Sequence, residues 1–313
     1  MAYTVYRLKF STGIHIGQDY GRPSLDDGRM TVHSDTLVAA LCCEGVKRGC
    51  LSQLVNYFSQ DILAISDTFP YKGEELYLPK PFLYTGNRKL EGDSSLKKKF
   101  KSLEYIPLSH FSAYLEGLKG AELDVTDLKQ DFGSLTVITK VAVTGQPEPQ
   151  PYHQAYWRFA PNCGLYFILR SRKKEAQQLL EEILTDLGLS GIGGKQSAGL
   201  GKFSVEKIDL PEKLTKLLAD DQAEYQMLLG TALPKPEELK EALADGWYSL
   251  LKRGGFVRSD SYADKQLKKR SIYMLAPGSC VKRRFTGGFF DLNKYGAHPV
   301  WRCGNTLFAG VNL

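Results

Sequence analysis

The first residues of the chain alternate between apolar and polar side chains. Residues 3–10 follow a period of two, which predicts a half-buried β-strand because successive side chains of a strand point to opposite faces. A glycine-rich segment follows, and residues 37–46 then form an apolar run with helical spacing. Ser34 or Asp35 stands where its side chain can cap the free amides of the first turn. The opening of the chain therefore predicts a strand, a loop and a helix.

The next segments predict paired strands. Residues 63–69 and 75–79 lie on either side of a glycine turn and predict a strand pair. A polar, lysine-rich stretch at 86–101 breaks this pattern, and we interpret it as an insertion. From Gly133, the run SLTVITKVAVTGQPEPQPYHQAYWRFAP contains two segments rich in β-branched and aromatic side chains, joined by the proline-rich stretch 145–151. This pattern predicts a long hairpin with a projecting tip.

A further strand, helix and strand complete the first two hundred residues. Residues 165–170 predict a strand, 173–187 predict a helix that ends at Gly188, and 203–208 predict another strand. The order is βαββ, an inserted hairpin, and then βαβ. This alternation suits the split βαβ, ferredoxin-like arrangement better than a doubly wound sheet.

The last hundred residues show a similar but weaker alternation of predicted helices and strands. They predict a helix at 236–244 and strands near 247–251, 271–277 and 300–310. The sequence therefore predicts an α+β protein of two ferredoxin-like (RRM-like) domains, with a glycine-rich loop and an inserted β-hairpin. The boundary is expected near residue 210, which gives an amino-terminal domain of 1–209 and a carboxyl-terminal domain of 210–313.

The strongest local signal is the run GIGGKQSAGLGKF at 191–203. Its glycines allow a close approach to a ligand and positive φ angles, and its amides and lysines can surround a phosphate. A nucleotide P-loop is excluded, because Phe203 replaces the Ser or Thr that would hold magnesium and a strand follows where a helix should. A flexible surface turn is the alternative interpretation. The candidate phosphate contacts are Gly191, Gly193, Gly194, Lys195, Gln196, Ser197, Gly199, Gly201 and Lys202.

Basic residues are clustered along the chain. The net charge is +6, which is compatible with a polyanionic partner, although charge describes association and not fold. A single lysine cluster is typical of a solvated surface, but several clusters beside glycine or aromatic residues favour nucleic acid. One cluster is Lys97, Lys98, Lys99 and Lys101, and the candidate RNA contacts of the carboxyl-terminal part are Arg253, Arg258, Lys268, Lys269, Arg270, Lys282, Arg283 and Arg284. The segment 252–258 fits a strand turn equally well.

Several classes of protein do not fit the sequence. The six cysteines form no CxxC pair and no zinc spacing, so we expect reduced thiols in the core. The pair Asp26-Asp27 and Asp131 do not make a metal cluster, and we expect neither a metal nor another cofactor. No apolar run approaches the length of about 20 residues that spans a bilayer, and the first residues do not form a signal peptide. A cytoplasmic protein without a membrane partner is therefore expected.

The glycine loop between a predicted helix and a predicted strand resembles the signature of the RAMP superfamily of CRISPR proteins. Ferredoxin-like domains of that superfamily bind guide RNA through a glycine-rich loop after the last helix. Three further segments resemble the family of Csm-complex subunits that binds the 5′ tag of the guide. These segments are FSTGIHIG at 10–17, VHSDTL at 32–37, and APGSC at 276–280 followed by HPV at 298–300.

The resemblance implies a non-catalytic RNA-binding subunit of a type III-A effector complex. Such a subunit holds the 5′ tag of the crRNA, contacts the large polymerase-like subunit and a backbone subunit, and meets target RNA only indirectly. It also implies that the hairpin at 137–157 is a thumb that separates the first guide–target base pair from the tag. His15, His33 and Ser34 join the expected RNA contacts.

A histidine-dependent nuclease is the main alternative. His15 and His33 flank the first loop, and an imidazole can serve as general base in metal-independent RNA cleavage. A histidine next to a helix cap is more often a hydrogen-bonded structural group or an RNA contact. Because the resembling subunit family is catalytically silent, we expect no enzymatic role for His33. A scaffold that touches RNA only incidentally is the third possibility.

Overall fold

The computed structural model describes residues 2–18, 24–84, 102–121, 123, 128, 130–142, 150–259 and 261–313. The predicted insertion at 86–101, with Lys97, Lys98, Lys99 and Lys101, lies outside the described residues. Residues 143–149, which include most of the predicted hairpin tip, also lie outside them.

The secondary structure is mixed, as the sequence predicts. The helices are α1 (Ser34–Lys47), α2 (Leu51–Ser59), α3 (Phe111–Lys119), α4 (Lys174–Ser190), α5 (Glu212–Ala219) and α6 (Leu239–Leu243). The strands are β1 (Ala2–Phe10), β2 (Leu63–Ile65), β3 (Phe69–Lys72), β4 (Glu75–Pro79), β5 (Tyr105–Pro107), β6 (Gly133–Ala142), β7 (Gln150–Phe159), β8 (Cys163–Ser171), β9 (Phe203–Ile208), β10 (Tyr225–Leu228), β11 (Leu250–Arg253), β12 (Ile272–Leu275), β13 (Cys280–Val281), β14 (Phe289–Asp291), β15 (Trp301–Cys303) and β16 (Phe308–Val311). An α+β fold with antiparallel sheets is confirmed.

The main sheet has the strand order β5-β4-β3-β8-β1-β9, and β2 also pairs with β8. Each of these pairs is antiparallel. Helices α1, α2 and α4 pack on one face of this sheet, where Leu41 and Ile183 meet Phe167 of β8. The central strands β1 and β8 thus lie between β9 on one side and β2 and β3 on the other.

The second face of the main sheet is covered by the carboxyl-terminal part of the chain. Val5 of β1 and Ile168 of β8 belong to a core that also contains Met227 of β10 and Ala309 of β16. Strand β1 is therefore buried on both faces, whereas its alternating pattern predicts a half-buried strand. The polar side chain Arg7 pairs there with Glu74 and lies over the ring of Tyr71.

The carboxyl-terminal part differs from a second ferredoxin-like domain. Its largest described sheet has three strands in the order β13-β10-β16, and β11-β12 and β14-β15 form separate two-stranded ladders. The predicted strand at 300–310 is two strands, because Gly304 packs closely against Leu233 and turns the chain between β15 and β16. Within 210–259 and 261–313, a four-stranded βαββαβ sheet is not present.

The predicted strand at 63–69 is also interrupted. Ser66, Asp67 and Thr68 separate β2 from β3, and the amide of Asp67 donates to the carbonyl of Leu229 in the carboxyl-terminal part. The amide of Thr68 donates to the carbonyl of Val32 just before α1. This interruption brings the Asp67 carboxylate to the start of α1.

The cysteine thiols are free, in agreement with the predicted reduced state. Burial raises the pKa of Cys42 and Cys303 to about 12, which keeps both thiols uncharged near neutral pH. No helix of the described segments combines the length and the apolar character that crossing a membrane requires.

Candidate nucleic-acid interface

The glycine loop connects α4 to β9 and is fastened to the loop that follows β1. The amide of Gly194 donates to the carbonyl of His15 over 2.8 Å, and the amide of Gly201 donates to that of Gly13 over 2.8 Å. The Lys202 amide donates to the hydroxyl oxygen of Thr12 over 3.0 Å. The loop is therefore a fixed part of the structure, which argues against a flexible surface turn.

Two glycines show why this loop requires them. Gly193 has a φ of +94°, and a Cβ on it would lie 2.5 Å from the carbonyl oxygen of His15. Gly201 has a φ of +82°, and a Cβ there would collide with the backbone of Ile192. Both positions combine left-handed backbone with close packing. The absent side chains thus make room for neighbouring protein, whereas we predicted that they make room for a ligand.

The outer turn of the loop presents unused hydrogen-bond donors. Residues Gln196–Ala198 form a short 3-10 helix that begins after Lys195, which has a φ of +60°. The amides of Lys195, Gln196 and Ser197 donate to no acceptor in the described part of the chain. Ser197 and Lys202 are exposed. Successive free amides of a turn near cationic side chains form an arrangement that binds anions.

His15 joins the glycine loop to the hairpin. Its ring Nδ1 lies 2.7 Å from the carbonyl oxygen of Ala155 on β7, while its own carbonyl accepts from Gly194. The adjacent Ile14 exchanges two backbone hydrogen bonds with Trp157, 2.9 and 2.8 Å long. His15 is buried, so the structure gives it a role inside the protein that differs from the predicted RNA contact.

Strands β6 (Gly133–Ala142) and β7 (Gln150–Phe159) form the antiparallel ladder of the hairpin that the sequence predicts. They pair along ten residues each and form a two-stranded sheet of their own among the described strands. Leu135, Val137 and Val141 are exposed on one face of β6. On β7, Tyr152 lies under the ammonium group of Lys195, 5.8 Å from the ring centre. The loop after β1, the glycine loop and the hairpin therefore form one connected surface, which we call the loop–hairpin surface.

His33 is enclosed by other side chains. Its Nδ1 contacts the Asp67 carboxylate and lies 2.8 Å from the Thr231 hydroxyl oxygen, and its Nε2 contacts the Arg29 guanidinium. Because a guanidinium only donates, Nε2 is the accepting nitrogen of this ring. The lone pair that a general base would use is therefore occupied. His15 and His33 share no partner in these contacts, so they do not form the pair considered above.

Ser34 and Asp35 are buried and do not cap α1. The helix begins at Ser34, whose amide donates to the Asp67 carboxylate over 2.8 Å, and no side-chain cap is formed by the preceding residue. The Ser34 hydroxyl donates to the carbonyl of Thr231 and has no exposed surface. The predicted cap is wrong because a distant carboxylate occupies that position, and the predicted RNA contact of Ser34 is wrong because its amide and its hydroxyl are both used by Asp67 and Thr231 inside the protein.

Asp35 and Asp67 connect the two parts of the chain. Asp35 pairs with Arg253 and Arg302, which both belong to the carboxyl-terminal part. Burial alone would raise the pKa of Asp35, but the two guanidinium groups outweigh this effect and hold it well below the usual range. For Asp67, burial is likewise outweighed by His33 and by the amides of Ser34 and Thr231, which lower its pKa. Arg253, predicted to contact RNA, is committed to this ion pair.

The other predicted basic contacts divide into exposed and committed groups. Arg258, Lys268, Arg270 and Arg283 are exposed. Arg284 donates to Gln226 and to the carbonyls of Leu218 and Asp220 at the end of α5, and Lys282 pairs with Glu224 and lies over Tyr225. Lys282 and Arg284 therefore stabilise the fold, which corrects the predicted RNA role of Arg284. In the described contacts, none of these basic residues meets the glycine loop.

Lys269 is the most perturbed of these cations. Burial, together with repulsion from Arg302 and Arg253, lowers its pKa to about 8, although Asp35 acts in the opposite direction. A surplus of positive charge thus surrounds the buried Asp35 carboxylate.

A cleft of about 720 Å³ lies next to the loop–hairpin surface. It is lined by Arg29, His33 and Trp157 of the amino-terminal part and by Ser249 and Pro277 of the carboxyl-terminal part. In the described residues, no group of three or more His, Cys, Asp or Glu side chains is placed to hold a metal ion.

The sequence did not predict the buried contacts of Asp67 and Arg302, nor that the His15 carbonyl accepts a hydrogen bond from the Gly194 amide. The polar triplet 66–68 inside an apolar strand pattern was the available signal for Asp67. No local pattern distinguishes Arg302 from a surface arginine, because its partner Asp35 lies 267 residues away in the sequence.

Known proteins resemble this chain along nearly its whole length. The family "CRISPR Csm4 C-terminal domain" matches residues 221–311. The Mycobacterium tuberculosis protein "CRISPR system Cms protein Csm4" is 33% identical over 93% of this chain and 94% of its own length. A chain of a Csm3-Csm4 subcomplex of the type III-A interference complex has a TM-score of 0.68 at 19% identity, covering 99% of this chain and 100% of that chain. A chain of a Csm1-Csm4 cassette bound to pppApA has a TM-score of 0.59 at 22% identity, covering 100% and 99%.

Proposed function

The chain belongs to the Csm4 family of type III-A CRISPR proteins, and on this premise we propose that it holds the 5′ tag of the crRNA in a Csm effector complex. The outer turn of the glycine loop carries this proposal. Successive free amides of Lys195, Gln196 and Ser197 lie in one turn of this loop, which also carries the exposed Lys202. The loop is held in place by Thr12, Gly13 and His15. A phosphate of a single strand fits such a group of donors irrespective of the base it carries.

The amino-terminal domain is proposed to be a ferredoxin-like RAMP domain. The order β9-β1-β8 followed by β2 and β3, with α1 and α4 on one face, supports this assignment. The glycine loop then lies between the last helix and the last strand of the βαββαβ unit. We retain the boundary near 210, with 1–209 as this domain and 210–313 as a second domain of the Csm4 family that packs on its sheet.

The partners are proposed from the assemblies of the relatives. One similar chain assembles with Csm3 and another with Csm1, so this chain would join a backbone subunit to the large polymerase-like subunit. Target RNA would be met indirectly, where it pairs with the guide. We place this assembly in the cytoplasm, where guide RNA is available.

The hairpin of β6 and β7 is proposed to be a thumb. Its ladder is separate from the main sheet among the described strands, and its base is fastened to Ile14 beside the glycine loop. A strand held on the loop would reach the hairpin directly after the tag. The hairpin would thus mark the boundary between tag and guide.

We propose no catalytic role for this chain. The Arg29 guanidinium occupies the accepting nitrogen of His33, which argues against the alternative of an endoribonuclease that uses His33 as base. Incubation of the purified protein with repeat RNA in EDTA should leave the RNA intact. Site-specific cleavage that is lost in His33→Ala and retained in His110→Ala, an exposed histidine, would contradict the proposal.

A salt titration of guide-RNA affinity tests the phosphate contact. Lys195→Ala and Lys202→Ala should each weaken binding, whatever the RNA sequence, and reduce the slope of log affinity against log salt by about 0.7 per lost phosphate contact. Lys174→Ala is the matched control, because Lys174 is exposed at the opposite end of α4, about 25 Å from the loop. Wild-type slopes in both loop variants would refute the proposed contact.

A further inference from the structure

Gln154 of β7 is an unexplained polar residue beside the glycine loop. The residue is 1% exposed, and within the described part of the chain neither its amide nitrogen nor its amide oxygen has a hydrogen-bond partner. A buried carboxamide without partners costs free energy, since both groups give up hydrogen bonds to water. Such an orphaned group calls for an explanation in the function of the site.

The strand geometry directs this side chain towards the glycine loop. Side chains two residues apart on a strand share a face, so Gln154 lies between Tyr152 and Tyr156. The Tyr152 ring contacts Lys195, and the Tyr156 ring packs where Gly13 lacks a side chain. Ile138 is its cross-strand neighbour on β6. Gln154 thus lies beneath the loop–hairpin surface, on the same face of β7 as the tyrosine that contacts Lys195.

The chemistry of a carboxamide selects the kind of ligand. A phosphate would satisfy only the amide nitrogen and would leave the amide oxygen without a donor. The edge of an unpaired nucleobase presents a donor and an acceptor side by side and satisfies both atoms. The half-buried Tyr152 next to Gln154 provides a ring on which that base can stack.

We propose that Gln154 reads one base of the bound RNA strand, and this inference rests on the proposed binding of the crRNA tag. The nucleotide concerned is the one whose phosphate lies on the outer turn of the glycine loop. The phosphate engages Lys195, which releases the Tyr152 ring, and the base then pairs with the Gln154 carboxamide. The tag is accordingly held by its backbone at the loop and recognised by sequence at Gln154.

An abasic scan of the guide RNA in the assembled complex tests this proposal. Each position of the 5′ tag is replaced in turn by an abasic nucleotide, and affinity is measured for wild type and for Gln154→Met, which keeps the side-chain length and removes both polar atoms. Wild type should lose roughly tenfold or more at one position. With intact RNA, Gln154→Met should bind more weakly than wild type by the same factor. An abasic nucleotide at that position should then cause Gln154→Met no further loss of affinity. Additive losses at every position would overturn the proposal.

The stability of the free protein provides a second readout. Because the orphaned carboxamide is destabilising, Gln154→Met should raise the melting temperature while it weakens RNA binding. Gln178→Met, the same change at an exposed position of α4, should alter neither. A lowered melting temperature would show that Gln154 has a partner in the free protein, and a raised one with unchanged affinity would show that it does not touch RNA. Either result would overturn the proposal.

The loop variants separate this inference from the function on which it rests. If Lys195→Ala and Lys202→Ala bind RNA like wild type, the proposed function itself fails. If both lose affinity while Gln154→Met retains it, the loop holds the strand and only the base-reading role of Gln154 is wrong.

Discussion

Arg253 holds Asp35 through two parallel hydrogen bonds, from Nε to Oδ2 and from Nη2 to Oδ1, each 3.0 Å long. Arg302 contacts the same carboxylate, which has no exposed side-chain surface. Asp35 lies on α1, whereas both arginines come from the carboxyl-terminal part. One buried carboxylate therefore joins the two parts of the chain.

Asp35→Asn should destabilise the protein strongly. The substitution leaves the cations of Arg253 and Arg302 without a counter-charge in a buried place, which costs about 3–5 kcal/mol of unfolding free energy. Denaturant titration measures this loss. Glu212→Gln, which breaks the exposed pair of Glu212 with Lys216, is the control and should leave the unfolding free energy nearly unchanged. Equal losses in the two variants would show that the buried pair does not join the domains.

Lys269→Met should stabilise the protein near neutral pH. The pKa of Lys269 falls from 10.5 to about 8 on folding. Below pH 8 the lysine is protonated in both states, so its burial lowers the unfolding free energy by an amount that does not change with pH. Between pH 8 and 10.5 the unfolded chain binds the extra proton, and wild-type stability rises with pH. The advantage of Lys269→Met should therefore shrink over this window, as chemical unfolding at several pH values would show. Lys268→Met, at an exposed neighbour, should show no such trend, and an advantage that grows with pH would contradict the argument.

Gly193→Ala should impair the glycine loop more than Gly199→Ala. Both positions have positive φ, +94° and +83°, so both variants share the backbone strain of about 1 kcal/mol. Only Gly193 has the His15 carbonyl within 2.5 Å of the new Cβ, whereas nothing lies within 4 Å at Gly199. The melting temperature and the guide-RNA affinity should both be lower for Gly193→Ala than for Gly199→Ala. Identical behaviour would mean that the contact with His15 does not fix the loop.

Periodicity and glycine content were sufficient to predict much of the amino-terminal domain. The alternation at 3–10 located β1, and the apolar spacing located α1 and α4, because these patterns reflect local backbone geometry. The glycine run predicted a loop between α4 and β9. The glycine run could not predict that the Gly194 amide donates to the His15 carbonyl, because a backbone–backbone hydrogen bond does not depend on the identity of the side chains.

Predictions about burial failed where distant segments meet. Ser34 looked like an accessible cap, but Asp67 and Thr231, from two separate segments, enclose it. Arg253 and Arg284 looked like RNA contacts because they lie in basic clusters. Their partners Asp35 and Asp220 are brought close only by the fold, so no local composition could separate them from exposed cations such as Arg258.

Shortening the hairpin should move the boundary between tag and guide. Replacing residues 143–149 by an Asn-Gly turn keeps the pair Ala142 and Gln150 at the end of the ladder. Guide binding should persist, because the glycine loop is unchanged, while target pairing extends into the tag. Chemical probing of the guide–target duplex measures the extent of pairing. An unchanged boundary in the shortened variant would rule out the thumb assignment.

The most direct test of the central claim is site-specific crosslinking in the assembled complex. A guide RNA is prepared with a photoreactive nucleotide at a single position, first in the 5′ tag and then near the 3′ end, and the crosslinked peptides are identified by mass spectrometry. The account predicts that tag positions crosslink to this chain within 191–203 and on β7, and that 3′ positions do not. Tag crosslinks confined to the basic residues of 258–283, or to other subunits, would contradict it.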